Sequence, residues 1–128
     1  MNKLIIDVVG EKIFLMIITS SNIYNITYEN TKINYEKLTK LINDFLNSYN
    51  LTISDISTIY VNKGPGSFAG IRNSLSTVKA FNVAKKIDYY CYSLDDFEGE
   101  IDVRYENIPD LCKKYNIKKN LINPIYIS

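Results

Sequence analysis

Three short runs of β-branched and aromatic residues open the chain, Leu4 to Val9, Ile13 to Ile18 and Ile23 to Tyr28, separated by Gly10-Glu11-Lys12 and Ser20-Ser21-Asn22. Runs of this length bounded by turn residues read as strands, and the two short polar breaks predict successive hairpins, a three-stranded meander. The period then changes. Tyr35, Leu38, Leu41, Ile42, Phe45, Leu46 and Tyr49 recur at helical spacing, with Glu36, Lys37, Lys40, Asn43, Asp44 and Asn47 on the opposite side. This predicts an amphipathic helix over 35–49 with a wide apolar stripe. Asn50 lies where that helix stops, Ser54-Asp55 makes a turn, and Thr58 to Val61 forms a fourth strand. A second helix follows over Phe68 to Val83 and a fifth strand over Tyr89 to Tyr92. The fourth and fifth strands are each reached through a helical crossover, so both lie parallel to the first. The expected fold is α/β, a mixed five-stranded sheet with helices packed on it. Beyond Phe97 the pattern weakens: Glu98 to Asn107 is acidic and irregular, and Asn107-Ile108-Pro109-Asp110 starts a short helix running to about Tyr115. Pro124-Ile-Tyr-Ile closes the chain as an extended apolar tail.

Composition narrows what such a fold can do. With 128 residues, 46% hydrophobic and 23% charged, the chain fits one ordinary globular domain with a modest core. No apolar run approaches the roughly 18–20 residues of a bilayer crossing, and the first ten residues lack an export signal, so a soluble cytoplasmic protein with no membrane contact is expected. Two cysteines, Cys91 and Cys112, are read as reduced thiols. Fifteen Lys and Arg against fourteen Asp and Glu leave a net charge of +1, too little to draw in nucleic acid unaided. The pairs Lys113-Lys114 and Lys118-Lys119 read as a solvated face. The sequence contains no histidine. That removes the commonest general base, the usual catalytic zinc ligands and every Ser-His or Cys-His pair. No catalytic residue, metal site or cofactor is expected.

The stretch with most character is KGPGSFAG at 63–70, running on into IRNSLSTVKAF. Gly66 and Gly70 are separated by three residues and followed by Ile71-Arg72, so the loop is not of the Walker type. A dinucleotide fingerprint needs glycine where Ala69 stands. Two readings remain. Ser67 can cap the helix while its free amides receive an anion, or the loop serves only to turn and cap the chain.

GPGSFAGIR, preceded by the strand TIYVN and followed by a helix of small residues, resembles the GPGSF-T-G-[LIV]-R signature of the TsaB family, the bacterial tRNA threonylcarbamoyladenosine biosynthesis proteins; eight of nine positions match. LIIDVV resembles the family's first strand, with its aspartate at Asp7, and LTISDISTIYVNKGPGSF its approach to the signature. YYCYSLDDF is similar to the next strand and turn, and the closing Pro124-Ile-Tyr-Ile to the usual ending. The resemblance implies a ribonuclease H-like, actin-like lobe over residues 1–97, with 98–128 a remnant of the second lobe. It also implies a non-catalytic scaffold that pairs with the TsaD catalytic subunit and the TsaE ATPase, and meets tRNA only through that complex, in the modification of adenosine 37. Some positions depart from the family. Ala69 stands for its threonine, Asn34 for a histidine, Thr39-Lys40 for Leu-Pro, and Val8-Val9-Gly10 lacks the hydroxyls of its phosphate loop.

The signature loop, Gly64, Pro65, Gly66, Ser67, Phe68, Ala69, Gly70, Ile71 and Arg72, feeds a helix with two stripes. Phe68, Ile71, Leu75 and Val78 form one, and Ala69, Asn73, Ser76 and Ala80 the other. In the family two helices from each subunit form the interface, which implies partner contacts for Leu38, Leu41, Ile42, Phe45, Ala69, Asn73, Ser76 and Ala80. The plainer reading makes both stripes core. An unpartnered apolar face also implies a homodimer when the chain is alone. Two other functions stay open: a small nucleotide-binding kinase or ATPase using Asp7 and the Gly64–Gly70 loop, and a degenerate paralogue serving another partner.

Overall fold

The structure is a computed structural model that describes residues 1–122 and the backbone of 126–127. Its centre is β1 (Asn2–Asp7), which pairs antiparallel with β2 (Lys12–Ile18); β2 pairs in turn with β3 (Ile23–Glu29). Two helices, α1 (Lys32–Glu36) and α2 (Leu38–Asn47), lead to β4 (Ile56–Asn62), parallel to β1 on its other side. The two-residue β5 (Gly66–Ser67) opens into α3 (Phe68–Lys85), and β6 (Asp88–Tyr92) pairs parallel to β4. The sheet order is β3-β2-β1-β4-β6, the expected meander plus two parallel strands.

Side-chain alternation gives this sheet two buried faces. Leu4, Ile17, Ile59 and Tyr89 lie in register across four strands and share one core with Leu38, Leu41, Ile42, Phe45 and Leu46 of α2 and Ile71, Leu75, Val78 and Phe81 of α3. The next row, Ile5, Met16 and Tyr60, points the other way. It packs with Tyr92, Phe97 and Ile108, Leu111 and Cys112 of α4 (Ile108–Lys114). The irregular segment after Phe97 is therefore bound to the sheet's second face.

Three features differ from the sequence reading or add to it. The helix expected over 35–49 breaks at Lys37 (φ −110°, ψ 29°), where Lys37 N–H donates to Asn34 O at 3.1 Å. Thr31 caps the first piece by accepting from Asn34 N–H at 3.3 Å, so a separate short turn precedes the apolar stripe. Hydrophobic spacing carries across such a break and cannot reveal it. The second is β7 (Tyr126–Ile127), which lies parallel to β5; Pro124 and Ile125 of the expected tail fall outside the described residues. Third, Ser67 stands at the N-cap of α3 but makes no side-chain capping bond.

Gly66 is required for space. A Cβ there would sit 3.0 Å from both Val9 Cβ and Val9 O and 3.1 Å from Ile71 Cδ1. The left-handed backbone of the loop belongs instead to Gly64, at φ 115°. Gly66→Ala should lower stability by about 1–3 kcal/mol, the usual cost of overpacking. At Gly10 nothing lies within 4 Å of the same Cβ, so Gly10→Ala should stay within about 0.5 kcal/mol. Urea unfolding of both variants checks the contrast, and equal effects would contradict it.

Candidate functional site

β1 and β4 run in the same direction, so the carboxyl ends of both strands come together beside the signature loop, the place where open α/β sheets bind ligands. Asp7 ends β1 there and is buried. Its Oδ1 accepts from Val9 N–H at 3.0 Å, and its Oδ2 accepts from Asn62 Nδ2 at 3.1 Å and from the Tyr105 hydroxyl at 2.9 Å. Asn62 Oδ1 in turn accepts from Gly64 N–H at 3.0 Å, tying the aspartate to the start of the loop. The Tyr105 ring stacks on Phe14 of β2, with centroids 3.9 Å apart and planes 19° from parallel. Burial, followed by the nearby Asp7 carboxyl, pushes the Tyr105 phenol above its ordinary range, so it remains the donor.

The aspartate that a phosphate-handling cleft would aim at a ligand is thus engaged by the protein's own groups. Two spaces lie beside it, one of about 140 Å³ lined in part by Val103, Tyr105 and Ile108, and a more open one of about 440 Å³ lined in part by Val9, Lys12, Phe14 and Asn62. Among the described residues no group of three or more His, Cys, Asp or Glu could hold a metal ion. Cys91 and Cys112 are buried free thiols on opposite faces of the sheet, each pushed up to about 12 by burial, which leaves them protonated and unreactive.

The signature loop delivers α3 with its two stripes facing different ways. Ile71, Leu75 and Val78 are buried in the first core, while Phe68 stays half exposed, 5.8 Å from the Arg72 guanidinium. Ala69, Ser76 and Ala80 are exposed. Asn73 is half-buried and turns its Nδ2 back to Ala69 O at 3.0 Å. Arg72, Ser76, Lys79, Ala80 and Val83 border an open groove of about 540 Å³ floored by Leu75 and Ile122. Val83 is 69% exposed. The helix itself carries Arg72, Lys79 and Lys85 and no acidic residue.

The first-helix residues expected at a partner surface do not reach one. Leu38, Leu41, Ile42 and Phe45 are buried in the chain's own core, because the wide stripe of α2 packs on both the sheet and α3. That double contact needs the extra width that suggested an interface. Sequence spacing missed Phe14, Asn62 and Tyr105 altogether, since all three act through tertiary contact with Asp7, 98 residues from Tyr105 in the chain.

A two-core mixed sheet with this strand order belongs to the ribonuclease H-like α/β class. The comparisons agree. YeaZ from Pseudomonas aeruginosa superposes with a TM-score of 0.66 at 18% identity, covering 72% of this chain and 43% of that one. A second structure, described as similar to peptidase YEAZ from Pseudomonas aeruginosa, matches with the same values. Thermus thermophilus RuvC in complex with Holliday junction substrate matches at a TM-score of 0.52 and 10% identity, covering 77% of this chain and 68% of that one. A comparison with curated proteins gives no match. The family model for TsaD, tRNA N6-adenosine threonylcarbamoyltransferase, matches residues 30–99. The chain belongs to this TsaD family and spans 43% of the length of the YeaZ structure it matches.

Tyr105→Phe removes a donor from a buried acceptor while keeping the ring on Phe14. It should lower stability by about 1–3 kcal/mol, measured by urea unfolding; an unchanged midpoint would mean that the hydroxyl adds nothing to the fold around Asp7. Because Asn62 and Tyr105 hold Asp7, ATP with magnesium should give no turnover and no saturable NMR shifts of the amides around Asp7 and the Gly64–Gly70 loop. Micromolar binding with turnover would instead favour a kinase or ATPase.

Proposed function

We propose that this chain is a non-catalytic scaffold in the synthesis of N6-threonylcarbamoyladenosine on tRNA, pairing through α3 with a TsaD-like catalytic subunit. Membership of the TsaD family and the likeness to YeaZ support a role in this modification. The observation that carries the scaffold reading is the division of the α3 surface. Its apolar stripe is consumed by the chain's own core, while Ala69, Ser76, Ala80 and Val83 remain open beside an apolar groove. Small side chains let a second helix approach closely, so a broad contact can form there without rearranging the core.

Catalysis and tRNA contact would then fall to the partner, together with a TsaE-like ATPase. The engagement of Asp7 by Asn62 and Tyr105 is consistent with that division of labour. No described helix is long and apolar enough to cross a membrane.

Ala80→Trp is the direct test. Ala80 is exposed, so the chain alone has room for the larger side chain and should keep its unfolding midpoint, whereas a helix docked at close range would be displaced. Co-purification with a TsaD-like subunit should fall at least tenfold. Normal binding would sink the α3 assignment, and unfolding would mean that this stripe is core.

Without its partner the same face should drive weak self-association. Sedimentation velocity over a concentration series should show a dimer that Ala80→Trp weakens. A strict monomer throughout would remove the homodimer from the proposal.

A further inference from the structure

The second face of the sheet carries a separate cavity, remote from α3 and on the far side of the core from it. Its volume is about 450 Å³, within the range of small-ligand pockets. Lys3 of β1, Tyr60 of β4 and Tyr90 of β6 contribute from the sheet, and Asp110 and Lys113 of α4 with Asn116 just beyond it complete the wall. Strand alternation brings the sheet residues together. Lys3 lies two residues from Ile5, on the same face, and Tyr60 and Tyr90 are register neighbours whose rings stack at 5.3 Å and 11°.

Tyr60 is the unusual member. Only 6% of it is exposed, yet its hydroxyl has no hydrogen-bond partner among the described residues. Among the described residues the sealed side-chain atoms without partners are Asn30 Oδ1 and the Tyr92 hydroxyl. The Tyr60 hydroxyl is not sealed; it opens into the cavity. A buried ring presenting an unpaired donor to an open space gains nothing within the fold from that hydroxyl. Burial raises the phenol to about 12, which keeps the proton on it at neutral pH. The two cations are equally uncommitted. Among the described residues each ion pair joins other residues, so the Lys3 and Lys113 ammonium groups have no carboxylate partner there. Asp110 is the single carboxylate on the wall, against two ammoniums.

We propose that this cavity is a binding site for a phosphate group, free or carried as a small monoester, held by the Lys3 and Lys113 ammoniums and by the Tyr60 hydroxyl as donor. A phosphate offers several acceptor oxygens to these donors, and its charge offsets the two cations. The open mouth leaves space for an attached organic group beside Tyr90. Nothing in this site depends on the α3 surface or on the Asp7 cleft.

The test is a set of NMR titrations of the intact chain with inorganic phosphate, adenosine 5′-monophosphate and adenosine, each at constant ionic strength. Saturable shifts confined to the amides around Lys3, Tyr60, Lys113 and Asn116 are expected with phosphate or the monophosphate, and none with adenosine. Tighter binding of the monophosphate identifies a monoester site, while equal affinity identifies free phosphate. Tyr60→Phe keeps the stacked ring and deletes only the unpaired hydroxyl, so it should fold with an unchanged or higher midpoint and bind about tenfold more weakly. Lys3→Gln combined with Lys113→Gln should abolish the saturable shifts. Adenosine binding as tightly as its monophosphate, shifts scattered over all surface lysines, or a Tyr60→Phe variant with unaltered affinity would each overturn the proposal.

Discussion

The fold depends on a single strand buried from both sides. β1 is antiparallel to β2 and parallel to β4, so its backbone groups have partners along both edges. Its side chains alternate between two cores, Leu4 and Ile6 toward α2 and α3, Ile5 toward α4. Burying both faces removes more apolar surface from water than a one-sided sheet of this size could, and it fixes register, since a slip of one residue would exchange the two cores. Everything functional is arranged around the ends of this strand. Asp7 at its carboxyl end anchors the signature loop through Asn62, and Lys3 near its amino end looks into the second-face cavity.

The glycine-rich loop has the appearance of a phosphate cradle and the mechanics of a joint. Gly64 supplies a backbone conformation that L-residues rarely adopt, and Gly66 allows the chain to pass against Val9. Gly70 serves the same close packing, with Ser67 Oγ 3.2 Å and Val8 O 3.4 Å from where a Cβ would stand. Asn30 reinforces the joint by donating to Val8 O and Gly10 O at 2.7 and 2.8 Å. The loop thereby sets the direction in which α3 leaves the sheet, and so which of its stripes is left in solvent. A scaffold needs that direction held firmly, and hydrogen bonds from two strands hold it here.

The engaged aspartate and the open helix are complementary. Tyr105 reaches Asp7 only because α4 and the turn before it pack against the sheet through Ile108, Leu111 and Cys112. The same packing creates the cavity around Tyr60. One short helix and the turn before it therefore both engage the aspartate at the place where the fold class binds ligands and wall a cavity on the same face.

The elements themselves were legible in the sequence. Five strands, the long second helix and the parallel placement of β4 and β6 all follow from hydrophobic period and crossover rules, because these features rest on local patterning. The signature from Gly64 to Arg72 likewise pointed to the family that the match over residues 30–99 shows. Periodicity could not decide which apolar stripe is core, because a helix facing a sheet and a helix facing a partner have the same spacing. Only packing showed that Leu38, Leu41, Ile42 and Phe45 are used within the chain while Ala69, Ser76 and Ala80 are left open. Nor could spacing bring Tyr105 to Asp7, or Lys113 to Lys3 and Tyr60. Those meetings join residues dozens of positions apart, and the path of the backbone in three dimensions is what sets them together.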